Sequence, residues 1–180
     1  MTQVRGDRII LRGFRPHEID LAMRQMARGP LDSELERRRR ERLKRSGTRN
    51  DWEVLFGVEA AGRLVGDVQG RCVDFAMPPG VWEIGIELWD EADRGRGLGR
   101  EAVALLAGYL FGEEAAIRVQ ATTDLDNVAM CRVLEALWFE REGVLRGFMP
   151  TANGRARDYA MYGITKDDWE NVKGRWIRTS

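Results

Sequence analysis

The order of candidate elements along the chain predicts a mixed α/β (α+β) fold in which helices pack on a sheet. Three observations lead to this. Strands that first pair as hairpins give way after residue 80 to a strand, helix, strand run. Apolar residues recur at helical spacing in the segments between strands. Hydrophobic residues make up 43% of 180, enough for one core, so residues 1–180 are read as a single domain.

Arg8-Ile-Ile-Leu-Arg-Gly-Phe14 is strand-like, and Pro16 sits where a helix can begin without losing a bonded N–H; Ile19, Ala22, Met23 and Met26 follow at helical spacing. Ser33-Glu-Leu-Glu36 has capping-box spacing and opens a second helix through the basic run from Arg37 to Arg45, stopping at Gly47. Only Leu35 and Leu43 are apolar inside it, so a surface position is expected and its charge reads first as a solvated face. Residues 52–58 and 63–69 predict a hairpin turning at Ala61-Gly62. In Trp82-Glu-Ile-Gly-Ile-Glu-Leu88, alternation puts Glu83, Gly85 and Glu87 on one face and Trp82, Ile84, Ile86 and Leu88 on the other.

The turn Arg94-Gly-Arg-Gly-Leu-Gly99 leads directly into a helix bearing Leu98, Ala102, Leu105, Leu106 and Tyr109, which ends at Gly112. A strand over residues 116–122 precedes a helix started by Asp124, Asp126 and Asn127, with Met130, Val133, Leu134 and Leu137 on one side. Two further strands, from Phe139 onward and over residues 157–162, turn around Thr151-Ala-Asn-Gly154. Thr165 then caps a short helix through Trp169.

Composition excludes several function classes. Lys+Arg and Asp+Glu both number 29, so no net field holds the chain on nucleic acid or an anionic membrane, and neither is expected as a partner. Cys72 and Cys131 have no CxxC spacing and His17 is the sole histidine, which excludes a disulfide scaffold and a His-rich metal site. No run of about 18 apolar residues occurs, so a soluble, cytoplasmic protein is expected.

The glycine turn is where chemistry is expected. Without Cβ atoms at Gly95, Gly97 and Gly99, backbone N–H groups can approach a ligand closely, and the first-turn donors of the helix point outward at the positive end of its dipole. Such a turn cradles phosphate, and Arg94, Arg96 and Arg100 add charge suited to several phosphate groups. There is no GxxxxGK[ST], and no long βαβαβ unit precedes the GxG, so P-loop and Rossmann readings lose ground.

Taken in order, Arg8-Ile-Ile-Leu-Arg12, Glu83-Ile-Gly-Ile86, Arg94-Gly-Arg-Gly-Leu-Gly-Arg-Glu-Ala102, Asn127-Val-Ala-Met-Cys-Arg-Val-Leu-Glu135 and Asp158-Tyr-Ala-Met-Tyr162 resemble the GNAT acetyltransferase superfamily, in particular its RimJ/RimL-type branch, over nearly the whole chain. The resemblance implies a mostly antiparallel, twisted sheet of six to seven strands flanked by helices, with a V-shaped splay at the central strands. It implies acetyl-CoA as co-substrate, without a metal, its pyrophosphate on Arg94, Gly95, Arg96, Gly97, Leu98, Gly99 and Arg100. The pantetheine arm would lie beside the strand ending at Leu88 and Trp89, splayed by a bulge in the family, and Asn127 would help position it. Asn127 also reads as a plain helix cap.

The acceptor amine must lose a proton before attack, and the resemblance implies Glu83 as base, with Glu87 second on the same face. Family members that protonate the leaving thiolate from a tyrosine have it where this chain has Leu134; water, Tyr159 or Tyr162 are the alternatives. Trp138 replaces the usual helix-ending glycine, predicting either a different end or local strain. The expected function is acetyl transfer from acetyl-CoA to a primary amine, either a protein N-terminal α-amine or a small molecule, and the basic helix hints at an acidic acceptor. The alternative is a non-catalytic CoA-binding or ribosome- or RNA-associated module; a homodimer stays open.

Overall fold

The computed structural model describes residues 2–27, 29, 32–72, 78–151 and 154–176. Among them run β1 (Val4–Arg5), β2 (Ile9–Arg12), α1 (Ile19–Gln25), α2 (Ser33–Lys44), β3 (Glu53–Ala60), β4 (Arg63–Arg71), β5 (Val81–Leu88), α3 (Leu98–Gly112), β6 (Arg118–Asp124), α4 (Val128–Ala136), β7 (Glu140–Pro150), β8 (Ala156–Thr165) and α5 (Lys166–Trp176). The chain divides into two compact units, residues 1–71 with 86–106 and residues 72–85 with 107–180. Both β5 and α3 contribute residues to each.

In the first unit β1, β2, β3 and β4 pair in that order, all antiparallel. The β3–β4 hairpin closes through Ala61 and Gly62, both at positive φ (48° and 78°), the twist a two-residue hairpin turn needs. Phe14, Ile19, Ala22, Met23, Leu43, Leu55 and Leu64 form a core joined by Met26 and Trp89. α2 is held mainly by Leu43, fully buried, while Leu35 is 45% exposed. Its N-cap is Asp32, not Ser33: Asp32 Oδ1 accepts from the Leu35 N–H at 2.7 Å. Aspartate one residue earlier makes the same bond the serine was expected to make. The buried Arg12 guanidinium grips Glu18 through two bonds of 2.7 and 2.8 Å and Glu59 at 2.6 Å. Burial pulls the Glu18 carboxyl up, but bonds from Arg12 and the Arg15 amide together hold it below the usual range.

The second unit pairs the start of β5 with β6 in parallel, at Val81–Arg118, Trp82–Val119 and Glu83–Gln120. β6 then pairs with β8, and β8 with β7, both antiparallel. Three residue pairs make up the parallel ladder. Phe111 of α3 stacks on Trp169 of α5 with centroids 5.0 Å apart. Thr165 caps α5 as expected, exchanging hydrogen bonds with Asp168, but the helix continues well past Trp169 to Trp176. The strands number eight among the described residues, against the expected six to seven, because the two-residue β1 is too short to show any periodicity. In the turn expected at residues 151–154, Ala152 and Asn153 lie outside the described residues.

α4 takes the strained of the two endings expected at Trp138. Phe139 N–H donates to Leu134 O and Trp138 N–H to Glu135 O, both at 3.0 Å, a Schellman pair with Trp138 left-handed at φ 62°. The exposed indole carries the Arg175 guanidinium over its ring, 5.0 Å from the centroid. In an Arg175→Met background, which removes that contact, Trp138→Gly should stabilise the protein by about 1 kcal/mol and raise Tm by roughly 2–4 °C. A lower Tm would show that the indole supports something other than the cap.

Candidate active site

The first unit brings together the end of β5, the glycine turn and the start of α3. Gly95 and Gly97 both adopt positive φ, 70° and 78°. Alternating left-handed residues aim successive N–H groups into one concavity, a geometry suited to an anion. Among the described residues none accepts a hydrogen bond from the N–H of Gly95, Arg96, Gly97, Leu98 or Gly99, whereas the Arg94 N–H donates to Glu91 O at 3.0 Å. Five consecutive amides at the positive end of a 15-residue helix are thus left for a ligand. Leu98 contributes only its amide, since its side chain is buried.

Two of the turn's arginines have partners within the first unit. Arg94 donates to the Leu88 carbonyl from Nε and Nη2 at 3.3 and 3.1 Å, and Arg96 Nη1 lies 3.7 Å from the buried Asp93. Arg100 is half-buried at the foot of α3. At the end of β5 the Trp89 N–H donates to Val65 O at 3.1 Å and its indole N–H to the buried Asp67 at 3.0 Å. Trp89 is therefore pinned to β4 at both ends.

One residue that sequence reasoning left as strand is also here. Arg8, just before β2, donates from Nη1 to Arg96 O at 2.8 Å and from Nε to Glu101 at 3.0 Å. The motif that begins at Arg8 gave it no place in the site, because its partners lie 88 and 93 residues away.

Both candidate bases lie on β5. Glu83 falls in the second unit, half-buried between Trp82 and Ile84, which are 1% and 5% exposed, and opposite Gln120 on β6. Glu87 falls in the first unit, also half-buried. Burial alternates as expected over residues 82–84, whereas residues 85–88 are all half-buried. Asn127, in the second unit, caps α4 through Oδ1, which accepts from the Met130 N–H at 3.2 Å. Its carboxamide NH2 finds no acceptor among the described residues, so the cap leaves two donors available.

The alternatives for the leaving-group proton also have defined places. Leu134 is fully buried core. Tyr162 is 1% exposed with its hydroxyl on Glu135 at 2.9 Å, and burial, reinforced by hydrogen bonds to Cys131 and Glu135, pushes its pKa well up. Tyr159 packs its ring on Phe148 at 5.4 Å.

Most of the basic run of α2 is paired with carboxylates of the first unit. Arg37 and Arg38 pair with Glu34, Arg40 with Glu36 and Asp20, Lys44 with Glu41, and Arg42 with the buried Glu53. These pairs suit the expected solvated face, and Arg39 donates instead to the Met26 carbonyl at 3.1 Å. Among the described residues no helix is long and apolar enough to cross a membrane, and no cluster of three or more His, Cys, Asp or Glu residues could hold a metal ion.

The chain is 33% identical over 123 residues to the probable N-acetyltransferase YjcK of Bacillus subtilis, covering 67% of this chain and 66% of that protein. To the uncharacterized N-acetyltransferase p20 of Bacillus licheniformis it is 28% identical over 127 residues, 71% and 68% of the two chains. In fold it is similar to a GNAT-family acetyltransferase from Bacillus anthracis (TM-score 0.71, 20% identity, 92% of this chain and 99% of that one). It is also similar to the spermidine/spermine N-acetyltransferase SpeG of Vibrio cholerae (TM-score 0.73, 20% identity, 91% and 96%). The acetyltransferase (GNAT) domain matches residues 8–140, three quarters of the sequence, and the chain belongs to that family.

Proposed function

We propose that the chain is a one-domain, cytoplasmic N-acetyltransferase that moves an acetyl group directly from acetyl-CoA to a primary amine, in the manner of the RimJ/RimL-type branch. The observation that supports this most is the row of unpartnered amides from Gly95 to Gly99 at the start of α3. A diphosphate there accepts hydrogen bonds whose donors are already aimed, so little is lost in ordering them.

The pantetheine arm runs along the end of β5. To pair with Leu88 O it must displace the Arg94 guanidinium, which is 55% exposed and can turn to a phosphate instead. Trp89 has committed its N–H to Val65, so it offers the arm its carbonyl. Asn127 donates from the carboxamide nitrogen that its capping role leaves available.

Acetyl transfer from an ammonium removes two protons from nitrogen. Glu83 takes the first, the freed amine bonds to the thioester carbon, and as the adduct collapses the C–S bond breaks, its electron pair leaves on sulfur and the second N–H proton passes to solvent. A thiol of ordinary pKa, about 8.5, departs as thiolate near neutrality and regains its proton from water. Leu134 in place of tyrosine therefore does not argue against catalysis, and the buried, high-pKa Tyr162 has no part in it. An α-amine, with pKa near 7.7–8.0, asks less of the base than a lysine-like amine near 10.4. A protein N-terminus is the first candidate acceptor on branch resemblance, with small amines such as polyamines second.

The test mixes purified protein with acetyl-CoA and a panel of N-terminal peptides, polyamines and amino-acid derivatives, and follows thiol release. Amine-dependent release above hydrolysis supports the assignment. CoA binding without release from any amine would leave a non-catalytic module.

A further inference from the structure

The Arg8 side chain is held more firmly than an exposed arginine usually is. Its backbone N–H donates to Glu101 Oε1 at 2.9 Å, its Nε to Glu101 Oε2 at 3.0 Å, and its Nη1 to the Arg96 carbonyl at 2.8 Å. Glu101 stands on the first turn of α3, so strand, turn and helix all fix one guanidinium plane. The side chain is nevertheless 48% exposed. Nη2 has no acceptor among the described residues and lies 2.9 Å from where a Cβ on Gly97 would stand, beside the five unpartnered amides. Exposed ion pairs contribute little to stability, so folding alone does not explain two anchors. A guanidinium fixed by two bonds and presenting its remaining edge is what bidentate phosphate recognition uses.

Gly6 is part of the same arrangement. A Cβ there would collide with Glu101 Oε1 and press on Leu105, so only glycine lets the carboxylate close on the Arg8 backbone and side chain together.

We propose that Arg8 is a phosphate-binding residue of the acetyl-CoA site, donating from Nη2 and the second Nη1 hydrogen to phosphate oxygen beside the amides of residues 95–99. The proposal rests on the CoA reading above. Glu101 cancels most of the charge at a distance, so the contribution is directional and short-range.

Calorimetry with CoA on the full chain tests it. Arg8→Met should weaken CoA binding roughly 10- to 100-fold, and Arg8→Lys should recover only a small part, because one ammonium cannot keep both anchors and reach the ligand. Gly6→Ala, which retains every charge but displaces Glu101, should weaken binding severalfold. Pantetheine, which carries no phosphate, should bind wild type and Arg8→Met alike by ligand-observed NMR, and Arg5→Met on the neighbouring strand should leave CoA affinity unchanged. CoA affinity within twofold of wild type in Arg8→Met, or an equal loss for pantetheine, overturns the role. If Arg8→Met does not fold, Arg8→Lys decides in the same way. Wild type that fails to bind CoA defeats the underlying reading instead.

Discussion

Gly97→Val abolishes CoA binding, with affinity reduced more than 100-fold, while the folded state persists. Gly97 sits at φ 78°, a conformation in which a β-branched residue is strained, and its Cβ would come 2.9 Å from Arg8 Nη2. Valine therefore either forces the turn out of its left-handed geometry, dispersing the amides, or places two methyl groups where the phosphate must lie. Gly95→Ala separates strain from obstruction. Gly95 also has positive φ, 70°, but a Cβ there meets nothing within 4 Å. It should cost about 1 kcal/mol of stability and weaken binding only modestly. Retained affinity in a folded Gly97→Val protein, read by calorimetry alongside circular dichroism, would mean that phosphate does not sit on this turn.

What could be read from sequence follows from the range of the interactions involved. The alternation of β5 and the period of α3 are local patterns: burial follows the first over residues 82–84, while residues 85–88 are all half-buried, and follows the second at Leu98, Ala102, Leu106 and Tyr109. The Ala61-Gly62 turn and the Asn127 cap are likewise set by chemistry within a few residues. Trp138 was legible as a conflict because the helix stops whether or not its next residue favours a left-handed conformation. Other features depend on distant partners. Arg8 joins the site through atoms some ninety residues away, and Gly6 matters only because Glu101 arrives against it. The pairing of the basic residues of α2 was partly readable, since Glu34, Glu36 and Glu41 are interleaved with them, but Asp20 and Glu53 come from other elements. The α5 boundary was missed because its polar last turns carry little periodic signal beyond Val172, which is buried.

Glu83→Gln lowers kcat/KM for the amine by roughly 100- to 1000-fold and leaves CoA affinity as it was. Glutamine fills the same space on β5 beside Trp82 and Ile84, so the strand is retained while the group can no longer accept a proton. Glu87 ranks second as base on the resemblance, so Glu87→Gln should have a much smaller effect, tenfold at most. The pH profile carries the decisive readout. In Glu83→Gln only acceptor already deprotonated in solution can react, so rate recovers as pH rises through the amine pKa, near 8 for an α-amine and above 10 for a lysine-like one. That recovery would also report the acceptor class from the enzyme side. Unchanged turnover in both variants at neutral pH removes both carboxylates as bases and leaves proton removal to solvent, with the row of amides contributing binding alone.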